Sequence, residues 1–270
     1  NVEYIEINEK NFPDEIFRNY VNENFDTTDD DVLTADEISA VTMIRVSNEG
    51  IADLTGVEYF TELAYLDCSS NQLTSLDVRK NTKLGYLGCS SNQIERLDVS
   101  NNANLLQLNC NNNQLTTLDI DSCTEIDTLL CTENLLTALD VSNHKELSYL
   151  ACSYNQLTSL NVIGCTALNN LYCDTNQLTS LDVSKNTALQ ALDCSYNQFT
   201  SLDVSKNTAL GTLYCYGNQL TSLDVSKNTA LKYLDCDNNQ LKSLDVSDCT
   251  ALKNLICNGN QLQSLDLTKN

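Results

Sequence analysis

Apolar residues stand at Leu63, Leu66, Cys68, Leu73, Leu76 and Val78, and the set returns every 21 residues along most of the chain. A period of this length marks stacked coils, each too small to bury its own apolar face, and it governs the fold class. Ten cysteines keep the interval without a slip from Cys68 to Cys257, and three residues after each stands an asparagine, from Asn71 to Asn260. An earlier, 22-residue copy runs from Val41 through Ile44, Val46 and Ile51 to Leu54. Leu252 to Asn270 makes an incomplete last one, giving 11 coils.

Written out, the unit is Leu63-x-x-Leu66-x-Cys68-x-x-Asn71-x-Leu73, the leucine-rich-repeat consensus with cysteine in one leucine position. Leu73, Leu76, Val78 and Asn81 echo Leu63, Leu66, Cys68 and Asn71 ten residues later, so each coil is two similar half-turns. The first half predicts the short strand of a concave parallel sheet. The second predicts an extended segment on the opposite side, because Asp77-Val78 and the surrounding Ser, Thr and Asn favour strand and turn over helix. The expected fold is a β-rich leucine-rich-repeat solenoid over residues 41–270, with a small α-helical N-terminal cap over 1–40. Burying about six apolar side chains per coil does not offset the ordering of its backbone, so stability must come from neighbours.

Charge narrows the partners. Fifteen Lys+Arg against 37 Asp+Glu leave a net charge of -22 over 270 residues. Nucleic acid and anionic membrane surfaces are therefore poor partners, since both are bound through clustered Lys and Arg. No stretch approaches the roughly 18 apolar residues of a membrane span, and Asn1-Val2-Glu3-Tyr4 has no signal-peptide character. Catalysis lacks a constellation: His144 is the single histidine, no glycine-rich phosphate loop occurs, and the paired carboxylates lie on a ladder rather than around a pocket. The expectation is a non-enzymatic protein that requires no cofactor.

Cys68 and its equivalents alternate with outward residues and should point into the core as small hydrophobes. Stacked neighbours at ~4.8 Å come near enough for a disulfide, but in-register parallel side chains give poor S–S geometry, and a row of thiols offers no tetrahedral metal enclosure. The asparagines should satisfy backbone groups of their own coil and the next. Cys123, Cys165 and Cys249 fall where other repeats have Asn81, Asn186, Asn207 and Asn228, and read as further buried thiols. The second half-turn carries Asp77, Asp98, Asp119, Asp140, Asp182, Asp203, Asp224, Asp245 and Asp266, with Asn161 in the remaining place. Neighbouring charges at ~4.8 Å repel, which leaves two readings: capping by turn N–H and hydroxyl groups, or cation binding.

The unit over residues 63–262, with the first repeat Ile51-x-x-Leu54-x-Gly56-Val57, resembles the internalins, surface-anchored adhesins of Gram-positive bacteria. The likeness is strongest to the type whose 21-residue repeats carry a cysteine in place of one leucine. The resemblance implies secretion or cell-surface display and a host or neighbouring-cell protein or glycan as partner. No immunoglobulin-like domain or LPxTG anchor follows the repeats in this sequence.

Residues 1–40 lack the repeat and carry 12 acids against Lys10 and Arg18. Pro13 suits the first turn of a helix, with Ile16, Phe17, Tyr20 and Val21 on one face, and Thr34-x-x-Glu37 is a capping box opening a second helix. Between them, Asp26, Thr28, Asp30, Val32 and Glu37 hold the spacing of an EF-hand loop, so calcium is a candidate ligand. Asp31 stands where that loop wants glycine, and Glu37 has the competing capping role, which makes a metal-free structural loop the other reading.

Residues flanking the second leucine and the cysteine should face solvent on the concave sheet. There stand Tyr65, Tyr86, Tyr149 and Tyr233, then Tyr172 and Tyr214, with Tyr154, Tyr196 and Tyr216 just beyond. Asp67, Asp193, Asp235 and Asp237 lie among them, and Arg45 is the basic residue of this set. The core does not need these tyrosines, which points to binding of a protein or glycan. Cross-strand stacking and a structural or scaffolding role form the alternative. At the other end, Leu262, Leu265 and Leu267 beside a strand edge suggest end-to-end self-association.

Overall fold

The computed structural model describes residues 4–270. Of the expected cap, residues 1–3 lie outside the described ones. The chain divides into two compact units, Asn1–Ile126 and Asp127–Asn270.

In the first unit, β1 (Tyr4–Glu6) is followed by α1 (Glu15–Phe25), β2 (Val32–Thr34) and α2 (Ala35–Ala40). β1 and β2 pair antiparallel, an element the apolar pattern did not announce. Pro13, expected in the first turn of α1, lies one residue before its N-cap, Asp14, whose Oδ1 accepts from Ile16 N and Phe17 N at 2.9 and 3.0 Å. Its Oδ2 reaches the first coil, accepting from Ala52 N at 2.8 Å. Phe17 and Val21 are buried as the helical spacing required, whereas Ile16 is exposed and Tyr20 only half-buried. Phe12, Phe17, Tyr59 and Phe60 form one aromatic cluster across cap and first coil. Gly56, at φ 106, admits this packing, since a Cβ there would fall 2.2 Å from the Phe12 ring. Thr34 and Glu37 make the full capping box of α2.

The coils of this unit give β3 (Met43–Arg45), β4 (Tyr65–Asp67), β5 (Tyr86–Gly88) and β6 (Gln107–Asn109), parallel and in strict register. Each strand has three residues: the central leucine or isoleucine points inward and its neighbours outward. Period-two geometry thus turns the L-x-C spacing into one buried column of leucine and one of cysteine.

The second unit repeats the design with β7 (Thr128–Leu130), β8 (Ala138–Asp140), β9 (Tyr149–Ala151), β10 (Ser159–Asn161), β11 (Asn170–Tyr172), β12 (Ala191–Asp193), β13 (Thr212–Tyr214), β14 (Tyr233–Asp235) and β15 (Asn254–Ile256). β7, β9 and β11 to β15 form a parallel sheet, again leucine on leucine. The second half-turns are extended. Only β8 and β10 pair there as strands, with an isolated Asp77–Asp98 bridge in the first unit. The first coil, with Thr55 in the Asp place, carries a one-turn 3-10 helix over Val57–Tyr59. In the later half-turns each Asp Oδ1 instead bonds the N–H two residues on, at 2.9 Å for Asp182, Asp203, Asp224, Asp245 and Asp266, which holds the chain in a turn. The architecture is a leucine-rich-repeat solenoid with a small helical N-terminal segment.

Candidate recognition face

Most of the conspicuous rows are committed to structure. All 13 cysteines are free thiols, buried except for the half-buried Cys257. Burial pushes the thiol pKa up along the ladder, to about 12 for Cys131 and Cys236, and to about 11 for Cys123, Cys165 and Cys249 of the second row. The buried thiols with raised pKa are therefore neutral and unreactive at physiological pH. In the first asparagine row, Asn197 Nδ2 donates to Cys173 O and Cys194 O at 3.0 and 3.2 Å, and its Oδ1 accepts from Leu178 N at 2.9 Å. The amide thus joins its own coil to the preceding one, the reverse of the expected direction.

The second asparagine row behaves differently. Asn207 Nδ2 donates to Val183 O and Asn186 O, but its Oδ1 is buried without a partner, as are those of Asn81, Asn102, Asn186 and Asn228. A residue that only donates fits better, and this row is where cysteine and histidine substitute. Cys165 Sγ donates to Val141 O at 3.0 Å, and His144 Nδ1 lies 3.0 Å from the same carbonyl. The histidine is thus a buried ladder member.

The aspartate row caps turns. Hydrogen bonds from the Ser or Thr two residues on hold Asp98, Asp140, Asp182, Asp203, Asp224, Asp245 and Asp266 below their usual pKa. Asp77 falls to about 2, chiefly through Arg79.

In the cap loop, Asp26 accepts from Asp29 N and Asp31 N at 2.8 Å each, and Thr28 N and Asp30 N also point at it. Asp31 takes φ 60, so aspartate makes the turn expected to need glycine. Glu37 accepts from Thr27 N, Thr27 Oγ1, Thr34 N and Thr34 Oγ1 at 2.5 to 2.9 Å, and these bonds lower its pKa to about 2. Asp30 bonds Val32 N. The loop acids are engaged by the protein itself, and among the described residues no group of three or more His, Cys, Asp or Glu is arranged to hold a metal.

The outward sheet positions remain. In the first unit Tyr65 and Tyr86 stack face to face at 4.4 Å, with Arg45 over Tyr65 at 5.1 Å. Asp67 bonds Ser69 N. That group satisfies itself, as the stacking alternative requires.

The second unit differs. Tyr149 meets Tyr172 at 5.5 Å, and Tyr196 meets Tyr216 edge-to-face at 5.0 Å. Tyr214 is half-buried and Tyr233 exposed. Tyr154 and Tyr196 are 56% and 57% exposed, and both take left-handed backbone, at φ 52 and 49. Every coil turns this way here, at Glu133 and Thr175 as well as at Ser, Asn and Gly, so the conformation belongs to the repeat. Gly217 leaves room for Tyr196, since a Cβ would fall 2.6 Å from its ring. Burial raises the pKa of Asp193 and Asp235, although each accepts a backbone N–H, from Ser195 and Asp237. Asp174, named by no motif, joins this group: it accepts from Ser153 Oγ and from Thr175 Oγ1 and repels Asp193. Its position just after a cysteine, beside Ser195 and Tyr216, was the signal available in the sequence.

No family model matches the chain. Over 71 residues it is 40% identical to internalin J of Listeria monocytogenes serotype 4b (strain F2365), a segment that is 26% of this chain and 8% of that protein. The solved functional domain of InlJ from Listeria monocytogenes, which includes a cysteine ladder, superposes with a TM-score of 0.79 at 35% identity. The match covers 99% of this chain and 64% of that one. This chain therefore spans less than two thirds of either relative. The internalin InlF from the same species shares the fold, with TM-score 0.57 and 22% identity over 95% of this chain and 92% of that one. The chain is internalin-like, a leucine-rich-repeat solenoid with a cysteine ladder.

Proposed function

We propose that this internalin-like chain is a secreted or surface-displayed recognition module that binds a host or neighbouring-cell macromolecule through the outward tyrosines and aspartates of residues 127–270. One observation carries the reading. Tyr149, Tyr154, Tyr172, Tyr196, Tyr214 and Tyr216 crowd four successive coils whose core is already complete with leucine and cysteine. Two of them, Tyr154 and Tyr196, are more than half exposed. Four coils place them within ~14 Å along the strand-stacking direction, the width of a short peptide or oligosaccharide.

The chemistry is recognition rather than catalysis. The histidine is spent on Val141 O and the thiols are buried and neutral, so no nucleophile and base meet. Display at the surface follows the internalin likeness, and among the described residues no helix is long and apolar enough to cross a membrane. The intact chain probed against an array of surface proteins and glycans should give saturable binding to a discrete member. An array without any binder would favour the scaffolding alternative, to which the self-satisfied Tyr65–Tyr86 stack is already suited.

A further inference from the structure

Strand register in the second unit lines up Tyr172, Asp193, Tyr214 and Asp235 in direct succession on the outward face. Aromatic and acidic side chains thus alternate at about the 4.8 Å strand spacing. Asp174 and Ser195 lie along one edge. None of these carboxylates has a cation. The sheet strands of this unit and the three residues after each contain no Lys or Arg, and the ion pairs among the described residues, Arg79 with Asp77 and Lys83 with Glu62, belong to the first unit.

A second observation points into the same row. Ser195 is fully buried, and its Oγ faces the Asp193 carboxylate and the Tyr216 hydroxyl without completing a hydrogen bond to either. Burial and the neighbouring Asp174 and Asp235 push the Asp193 carboxyl up. A charge desolvated without a counter-ion weakens the free protein and is relieved by an incoming cation. A bare metal ion does not suit the row, because no three ligating groups converge among the described residues. A planar guanidinium does: it is weakly hydrated, stacks on phenol rings and forks onto carboxylates.

We propose that the Tyr172–Asp193–Tyr214–Asp235 row is a subsite for arginine side chains of a partner polypeptide. The inference rests on the reading of this sheet face as a recognition surface and names the chemistry it takes. Asp193 and Asp235 lie two strands apart, ~9.6 Å, close to the ~9.3 Å of one polyproline-II turn, so arginines three residues apart in that conformation meet both acids.

The test uses fluorescence anisotropy with labelled Arg-Pro-Pro-Arg and Lys-Pro-Pro-Lys peptides on the unaltered chain, Asp193→Asn and Asp203→Asn. The last removes the same charge from the turn-capping row. Saturable binding of the arginine peptide is expected, weaker for lysine, reduced at least tenfold by Asp193→Asn and unchanged by Asp203→Asn. In Asp193→Asn the new amide oxygen can still accept from Ser195 N while a buried charge is removed, so the melting temperature should hold or rise while affinity falls. A purely structural aspartate would not give that combination. Equal losses in both variants would reduce the effect to bulk charge and overturn the subsite, as would no saturable binding or an unchanged Asp193→Asn. A neutral glycan whose binding is lost in Tyr172→Ala/Tyr214→Ala but kept in Asp193→Asn would overturn the arginine subsite and leave the recognition face standing. An array ligand indifferent to all of these variants would bring down both.

Discussion

Asn197 and Asn207 lie in one coil, both buried, yet exchanging each for cysteine should have opposite consequences. At Asn197 a thiol offers one weak donor in place of the amide and no acceptor for Leu178 N. Orphaning that buried N–H costs ~1–3 kcal/mol, and the lost bonds to Cys173 O and Cys194 O add about 1 kcal/mol, so Asn197→Cys should destabilise by about 3 kcal/mol. At Asn207 the thiol keeps one donor bond, as Cys165 does with Val141 O, and the unpaired Oδ1 disappears. Removing an unsatisfied buried acceptor returns ~1–3 kcal/mol against the lost donor bond, which puts Asn207→Cys within about 1 kcal/mol of the parent. Neither site has a cysteine as its neighbour in the row, so disulfide formation does not intrude. Urea unfolding followed by far-UV circular dichroism under reductant gives both values. Equal destabilisation by the two substitutions would refute the division of labour between the rows and the account of why Cys123, Cys165 and Cys249 occur only in the second.

The remaining predictions concern the cap and the thiols. Native protein at pH 7.5 should label with iodoacetamide at Cys257 at most, and denatured protein without reductant at all 13 cysteines; a majority in disulfides would contradict the ladder. Glu37 has its folded pKa lowered from 4.5 to about 2, so its contribution is present above pH 4.5 and lost as pH falls towards 2. Glu37→Gln should cost about 2 kcal/mol at pH 7 and less with each step down that window, and a constant difference would refute the role given to its four hydrogen bonds. Because Asp26 and Glu37 are engaged by the loop, about 1 mM calcium should leave the melting temperature unchanged. A stabilisation near 1.4 kcal/mol, as for a site of ~0.1 mM affinity, would support the calcium reading instead.

Much of this was legible in the chain. A 21-residue period with cysteine and asparagine in fixed places dictates coils, register and core, because stacking in register is the way such a set buries its apolar face. Thr34 and Glu37 announced α2 through a local motif. Less visible was anything that depends on contacts distant in sequence. Asp14 serves both α1 and the first coil, β1 finds β2 across 28 residues, and the two asparagine rows look alike in sequence yet differ in whether Oδ1 meets an N–H. The strand tyrosines were placed on the outward face by period-two geometry, but that Tyr65 stacks flat on Tyr86 while Tyr196 meets Tyr216 edge-to-face shows only in the ring positions. Asp174 lies outside the strand and comes into the site only through the turn after Cys173.

The most direct measurement is the affinity of an array-identified ligand for the unaltered chain and for Tyr172→Ala/Tyr214→Ala. Both rings are half-buried on the outward face, outside the leucine and cysteine columns, so the variant should keep its circular dichroism. Loss of central aromatic contacts typically costs about 2 kcal/mol or more, so affinity should fall at least ~30-fold. Unchanged affinity in a folded variant would contradict the account and move recognition off this face.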